Sequence, residues 1–366
     1  MIQCRTVDPI LIRTHGDLIF LEEGKARALA DLGKVTYDGH SPLARTHVLG
    51  LVDAAQPQAP IEGPRPPAPK QETVHYLERT RWMTHRAGRV RPRVLWVQDR
   101  SKLGGAELSN DTVVAIGESL GYDIATVSPG WFQQGLFAEA DFAVVNNIHE
   151  FNANQFYSLQ QLFFEQCLPF VKYEHDYREL KRLNVSRALF QRARLCVFLS
   201  PAHYAGHLAE ITIGEHLELP LAIDTDFYQR RKTDAARDDK TVVPTPHKCG
   251  VELEAFMASR PDKEYILVGT RGDVHTPKGV TVTGIPSQSP EGMRKLFSEH
   301  ALVVHLPSQR WAGERVVLEA QCCGAEVVMN ENVGHASWKD SERDRKALET
   351  APYTFWEKVG AACISP

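Results

Sequence analysis

The stretch Ala301–Gly334, ALVVHLPSQRWAGERVVLEAQCCGAEVVMNENVG, decides how this chain reads. Ala301 to Pro307 is an apolar run closed by a turn, as in a strand buried on both faces, and Ser308 to Glu314 is a polar, glycine-bearing loop. Arg315 to Cys323 then sets Val316, Val317, Leu318, Ala320 and Cys323 at helical spacing. Gly324 suits a helix C-cap, and Ala325 to Met329 restarts a strand. The segment is a β-loop-α-β unit of a parallel sheet. Such units aim backbone N–H groups at the helix start toward the carboxyl edge of the sheet, which makes the loop a candidate phosphate site. Glu319, one turn into the helix, is placed to accept hydrogen bonds from sugar hydroxyls; an ordinary surface glutamate is the plainer reading.

The pattern recurs on both sides of this unit. Upstream, apolar runs at Val94–Val97, Ile124–Val127, Phe142–Asn146, Pro169–Tyr173 and Leu195–Leu199 alternate with helical segments such as Ala106–Leu120 and Glu179–Ala193. A second series starts near Thr241, with strands at Tyr265–Val268, Val280–Thr283, Leu302–Leu306 and Glu326–Met329. Strands alternating with helices at this spacing predict an α/β chain with two Rossmann-like parallel-sheet halves facing a ligand-binding cleft.

The 366 residues suffice for two such halves and a smaller module. A net charge of -4 gives no global push toward nucleic acid or membrane, so any polyanion site must be local. The seven cysteines lack CxxC spacing and lie mostly in apolar segments, as reduced core residues of a cytoplasmic protein do. No run has the length of a membrane span, and the N-terminus lacks a signal pattern, so no membrane insertion is expected.

Residues 1–52 form a small α+β module, with a strand over Gln3–Arg13, a turn at His15-Gly16-Asp17 and a helix over Glu22–Leu32. It resembles N-terminal modules of bacteriophage structural proteins; a dimerisation or docking module is the plainer reading. Residues 53–73 are a stiff proline-rich linker. The basic segment that follows carries Arg79, Arg81, Trp82 and Arg86. Arginines interleaved with aromatics suit phosphate backbones and unstacked bases, although a solvated charge run is the commoner case.

From about Arg93 to Trp356 the ordered motifs resemble retaining glycosyltransferases of the GT-B architecture, in particular glycosyltransferase family four. LGGAE, Leu103–Glu107, is similar to the family's glycine pair, and NNIHEFN, Asn146–Asn152, to the segment whose histidine lies near the transferred sugar. VKYEHDY, Val171–Tyr177, matches a further strand-end His-Asp. Lys248 with Gly250 matches a Lys-Gly pair, and WAGERVVLEA aligns with a Glu-x7-Glu signature. The resemblance implies domains at 74–226 for the acceptor and 227–340 for the nucleotide-sugar, with 341–366 crossing back through Phe355 and Trp356.

It further implies catalytic roles for His149, Lys248 and Glu314, and donor contacts from Gly104, Gly105, Gly284, Ser308, Arg315 and Glu319. Acceptor contacts are expected from His175 and Asp176, with Arg79, Arg81, Trp82 and Arg86 for a nucleic-acid acceptor. Two departures stand out. Trp311 occupies the place of the first signature glutamate, with Glu314 the nearest carboxylate to replace it. Val243 stands near a missing arginine, leaving Arg315 as the second cation beside Lys248.

The implied reaction is transfer of a sugar from a nucleotide-sugar, most simply a UDP-sugar, with retention of configuration and without a further cofactor or metal. The phage-like module and the arginine-aromatic segment together suggest a hydroxymethylated pyrimidine in double-stranded DNA as the acceptor, in a bacterial host cytoplasm. Reaching such a base requires flipping it into the cleft. A saccharide, lipid or small-molecule acceptor, and a catalytically silent binding protein, are the competing readings. His203 and His207, spaced i,i+4 with Glu210 beyond, are expected to be a solvent-facing pair rather than metal ligands.

Overall fold

A computed structural model describes residues 10–14, 17–21, 91–99, 104–132, 140–177 and 183–364. Near the N-terminus, β1 (Ile10–Thr14) and β2 (Asp17–Leu21) pair antiparallel. Of the expected strand Gln3–Arg13 the described part, Ile10–Arg13, lies in β1; the helix from Glu22, the linker, and the basic segment with Arg79, Arg81, Trp82 and Arg86 lie outside the described residues.

The first half is a six-stranded parallel sheet built from β3 (Arg93–Val97), β4 (Asp123–Val127), β5 (Phe142–Val145), β6 (Phe170–Tyr173), β7 (Leu195–Phe198) and β8 (His216–Glu218), in the order β4-β3-β5-β6-β7-β8. Helix α1 (Gly105–Ser119) follows β3, α2 (Ala153–Gln160) follows β5, α3 (Leu183–Arg192) follows β6 and α4 (Pro201–Leu208) follows β7. Central strands are buried on both faces, and this is why VLWV, FAVV and LCVF read as unbroken apolar runs.

The second half is a five-stranded parallel sheet ordered β11-β10-β9-β12-β13. It comprises β9 (Asp238–Pro244), β10 (Glu264–Val268), β11 (Thr281–Ile285), β12 (His300–His305) and β13 (Glu326–Met329), with α5 (Val251–Ala258), α6 (Pro290–Glu299) and α7 (Arg315–Cys322) as connections. Two doubly wound parallel sheets make this the two-domain GT-B fold. Two elements were not legible in advance. Strand β8 is three residues long and half exposed, and α2 begins at a capping box in which Asn152 accepts from Gln155 N–H and Gln155 reaches back.

The C-terminal helix α8 (Arg345–Ile364) packs on the first half. Its Phe355 and Trp356 sit among Trp96, Tyr122 and Tyr173, and the Trp356 indole N–H donates to Val113 O at 2.7 Å. This contact needs a glycine on α1: a Cβ at Gly117 would lie 2.4 Å from the Trp356 ring. Among the described residues no helix is long and apolar enough to cross a membrane.

Candidate functional site

In each sheet one strand has its sequence neighbours on opposite sides, and the loops leaving the carboxyl ends there part to form a crevice. In the second half the crevice falls between β9 and β12. After Pro244 the chain turns through Thr245, whose φ of 50° is left-handed and uncommon for a β-branched residue. A 3-10 turn, Pro246–Lys248, then presents Lys248, and Gly250 caps α5.

The loop after β12 is fastened to both neighbours. Ser308 N–H and Oγ donate to Lys248 O at 2.9 and 3.2 Å, Trp311 N–H donates to Asn332 O at 2.8 Å, and Gly334 N–H donates to Trp311 O at 2.8 Å. The Gly334 contact admits no side chain, since a Cβ there would sit 1.9 Å from Ala312 O.

This scaffold assembles a charge cluster. Lys248 Nζ lies 2.9 Å from one oxygen of Glu314 and 3.8 Å over the Trp311 ring. The other Glu314 oxygen lies 3.7 Å from His305 Nε2. Glu314 is buried, yet the effect of burial is outweighed by His305 and Lys248, which hold its carboxyl below the usual range. Burial likewise opposes charge on His305, but the neighbouring Cys249 thiol and Glu314 carboxylate raise it to about 9. The Glu314 carboxylate thus lies between the Lys248 ammonium and the His305 imidazole. Beneath them His335 is fully buried and lowered to about 3 by that burial, so it is neutral. The Trp311 indole N–H and both ring nitrogens of His305 and of His335 are buried without a hydrogen-bond partner among the described residues, a concentration of unused polar atoms that native interiors avoid.

Helix starts complete the surroundings. The N-caps of α5 and α7, Gly250 and Glu314, make no side-chain capping bond, leaving first-turn N–H groups without side-chain acceptors. Gly104 N–H donates to Glu107 at 2.9 Å at the start of α1. A Cβ on Gly105 would stand 3.6 Å from that of Arg315, so α1 and α7 meet start to start across the halves.

Arg315 and Glu319, read from sequence as phosphate and ribose contacts, are both buried and engaged with each other. Arg315 Nε donates to Glu319 at 2.5 Å, and its Nη1 donates to Ser109 Oγ and Ala222 O, both at 3.0 Å. Burial raises Glu319, against the pull of Arg315 and Tyr228. The Arg315 guanidinium thus joins the second half to α1 and to the connecting segment.

At the first half's crevice, between β3 and β5, Asp99 accepts the N–H groups of His149 and Glu150 at 2.8 and 3.0 Å and so splints the two strand-end loops. Burial raises Asp99, against these bonds. His149 Nε2 lies 3.7 Å from Asp176, whose other oxygen accepts from Asn147 Nδ2 at 3.2 Å. His175 turns inward: it packs on Tyr173, its Nε2 lies 3.2 Å from Asn146 Oδ1, and burial lowers it to about 3.

The structure therefore gathers Lys248, Ser308 and Glu314 at one crevice and His149 and Asp176 at the other. Gly284 lies apart, on the exposed outer strand β11, with open space around it. His305 and Asp99 were missed although His305 ends β12 and Asp99 lies two residues beyond the end of β3, each at a crevice. Ser109 and Tyr228 gave no local signal.

The i,i+4 histidines call for a correction. His203 and His207 are fully buried rather than solvent-facing, stacked among Tyr177 and Phe198, and with Glu174 they form a group of three potential metal ligands within 4.8 Å. Solvation of this face is prevented by α4 packing back onto β7. Glu174 already holds Lys172 Nζ at 2.5 Å. His203 Nδ1 accepts from Leu199 N–H and its Nε2 faces Asp176 O, so the ring keeps no free lone pair for an ion.

No family model matches the sequence, and comparison with curated proteins finds no match. Solved structures do match in fold. One is HepE of Anabaena, in complex with UDP and glucose, at TM-score 0.50 and 17% identity over 75% of this chain and 92% of that one. Another is an alpha-glucosyltransferase in complex with UDP-glucose and DNA containing an abasic site, at TM-score 0.50 and 12% identity over 73% of this chain and 90% of that one.

Proposed function

We propose that this chain is a glycosyltransferase that takes a sugar from a nucleotide-sugar, a UDP-sugar in the first instance, and transfers it to a hydroxyl acceptor. The observation that carries the reading is Lys248, held 2.9 Å from Glu314 beside the uncapped starts of α5 and α7 at the second crevice. A compact cation beside the N–H groups of two helix starts suits a diphosphate. The two structural neighbours support the choice of donor, since one is described with UDP and glucose and the other with UDP-glucose.

In the reaction the bond from the anomeric carbon to the diphosphate oxygen breaks, and the acceptor oxygen forms the new bond to that carbon. Negative charge grows on the departing phosphate, where Lys248 and the helix N–H groups stabilise it. The acceptor proton passes to a phosphate oxygen on the same face, consistent with the retention the sequence resemblance implies. Glu314, buried between Lys248 and His305, acts as the counterion of Lys248 in this reading and not as a base. His149 and Asp176, set at the facing crevice, orient the acceptor hydroxyl.

For the acceptor we favour a hydroxymethylated pyrimidine in DNA, on the arginine-aromatic segment Arg79–Arg86 and the DNA-bound neighbour. Radiolabelled UDP-glucose incubated with hydroxymethylated DNA, unmodified DNA and oligosaccharides tests both parts. We expect label only on the modified DNA, and a drop of about 10²–10³ in kcat/KM for Lys248→Ala, in the range for removing one preorganised charge-stabilising group. Label on saccharide alone rejects the DNA acceptor. Nucleotide binding without any turnover favours the silent binding protein, the reading that Trp311 in the place of a glutamate supports.

A further inference from the structure

The backbone around the buried His203 fixes where its proton lies. Leu199 N–H donates to Nδ1 at 3.2 Å, so Nδ1 is bare, and Nε2, 3.2 Å from Asp176 O, carries the one ring proton and donates it. A neutral imidazole on α4 thereby bridges the ends of two neighbouring strands, β6 and β7. Both ends lead to the candidate site. On the β6 side the Asp176 carboxylate lies 3.7 Å from His149 Nε2 and accepts from Asn147 Nδ2 at 3.2 Å.

On the β7 side, Leu199 and Ser200 meet the loop that carries Trp311 and Glu314. Ser200 Oγ donates to Ala312 O at 2.9 Å and accepts from His203 N–H at 3.1 Å. A Cβ on Gly313 would stand 3.3 Å from that of Leu199, and Leu199 O accepts from the Trp338 indole at 3.0 Å. Leu199, Ser200, His203 and Ala312 are all buried, so water does not compete for these bonds. His207, one turn further along α4, directs its Nδ1 to His203 O inside its own helix.

We propose that His203 is a positioning residue that holds Asp176, and with it His149, in register with the donor loop from Trp311 to Glu314. The inference rests on the glycosyl-transfer reading above. It needs both ring nitrogens: His203→Asn keeps only an acceptor near Nδ1, and His203→Gln only a donor near Nε2.

The test measures transfer from UDP-glucose to whichever acceptor above takes label, with calorimetric titration of UDP alongside. The full chain is compared with His203→Asn, His203→Gln, His207→Gln, His149→Ala and His203→Asn/His149→Ala. Both His203 variants should bind UDP within about twofold of the unaltered chain and lose about tenfold in kcat, as a small displacement of reacting groups does. His207→Gln should keep kcat within about twofold. In the His149→Ala background, His203→Asn should change kcat by less than about twofold, because residues acting as one unit are non-additive. A merely structural role would instead lower both backgrounds by the same factor, or weaken UDP binding as much as kcat. Either result, or an unchanged kcat, overturns this inference and leaves the transfer reading standing. Should the His203 variants fail to fold, long-range ¹H–¹⁵N correlation of the unaltered chain decides: a bare Nδ1 is expected, and a proton on Nδ1 overturns the proposal. If the unaltered chain transfers sugar to none of the acceptors, both readings fall.

Discussion

His305 illustrates how a single residue makes the site sensitive to pH. Its raised value, about 9, is set by Cys249 and Glu314, with Lys248 on the far side of that carboxylate. A group whose folded pKa lies above its unfolded value of about 6.5 contributes stability that is complete below 6.5 and is lost as pH rises through 9. Thermal unfolding followed from pH 6 to 10 should therefore show declining stability, by at most about 3 kcal/mol, and His305→Gln should flatten that slope. An unchanged slope in the variant would show that His305 does not hold its proton. At this scale the residue types at the crevices were largely readable, because Lys248 and Glu314 follow strand ends. Their pairing was not, since Glu314 reaches Lys248 across a separation of 66 residues.

At the level of elements, the seam between α1 and α8 carries the first half's core. Gly117 on α1 lies against Trp356 on α8, and the indole both fills the gap and caps Val113 O. Adding one methyl at this point is overpacking: Gly117→Ala should cost about 1–3 kcal/mol in urea unfolding. Trp356→Ala should cost about 3–5 kcal/mol by leaving a cavity. A Gly117→Ala chain as stable as the original would mean that the two helices separate at no cost. The strands were legible here because both faces of each central strand are buried, and the resulting run is unmistakable. Gly117 as the place where Trp356 packs was not, because a glycine in a helix gives no sign of what packs against it.

For the whole molecule, Arg315 is one of several residues that tie one half to the other, alongside the bonds from Ser200 Oγ to Ala312 O and from the Trp338 indole to Leu199 O. It reaches Ser109 on α1 and Ala222 in the connecting segment while neutralising Glu319. Replacing Arg315 with methionine leaves Glu319 buried without its cation and with the Tyr228 hydroxyl beside it, and breaking a buried pair typically costs about 3–5 kcal/mol. The double variant Arg315→Met/Glu319→Leu should recover much of that loss. Urea unfolding of both variants measures the two contributions, and a double variant no more stable than Arg315→Met would show that the uncompensated charge on Glu319 is not the source of the loss.

Strand and helix periodicity sufficed to call for two parallel sheets, because burial on both faces and one-sided helix packing each impose a period that the chain must carry locally. The glycine pair, Lys248 and the loop before α7 were marked for the same reason: turns and helix starts have local chemical requirements. What the tertiary structure alone decided is which charges meet. Glu319 faces Arg315 instead of open cleft, Glu314 sits between Lys248 and His305, and His203 and His207 lie in the interior. Electrostatic pairing depends on distance in space, and separation along the chain does not encode it.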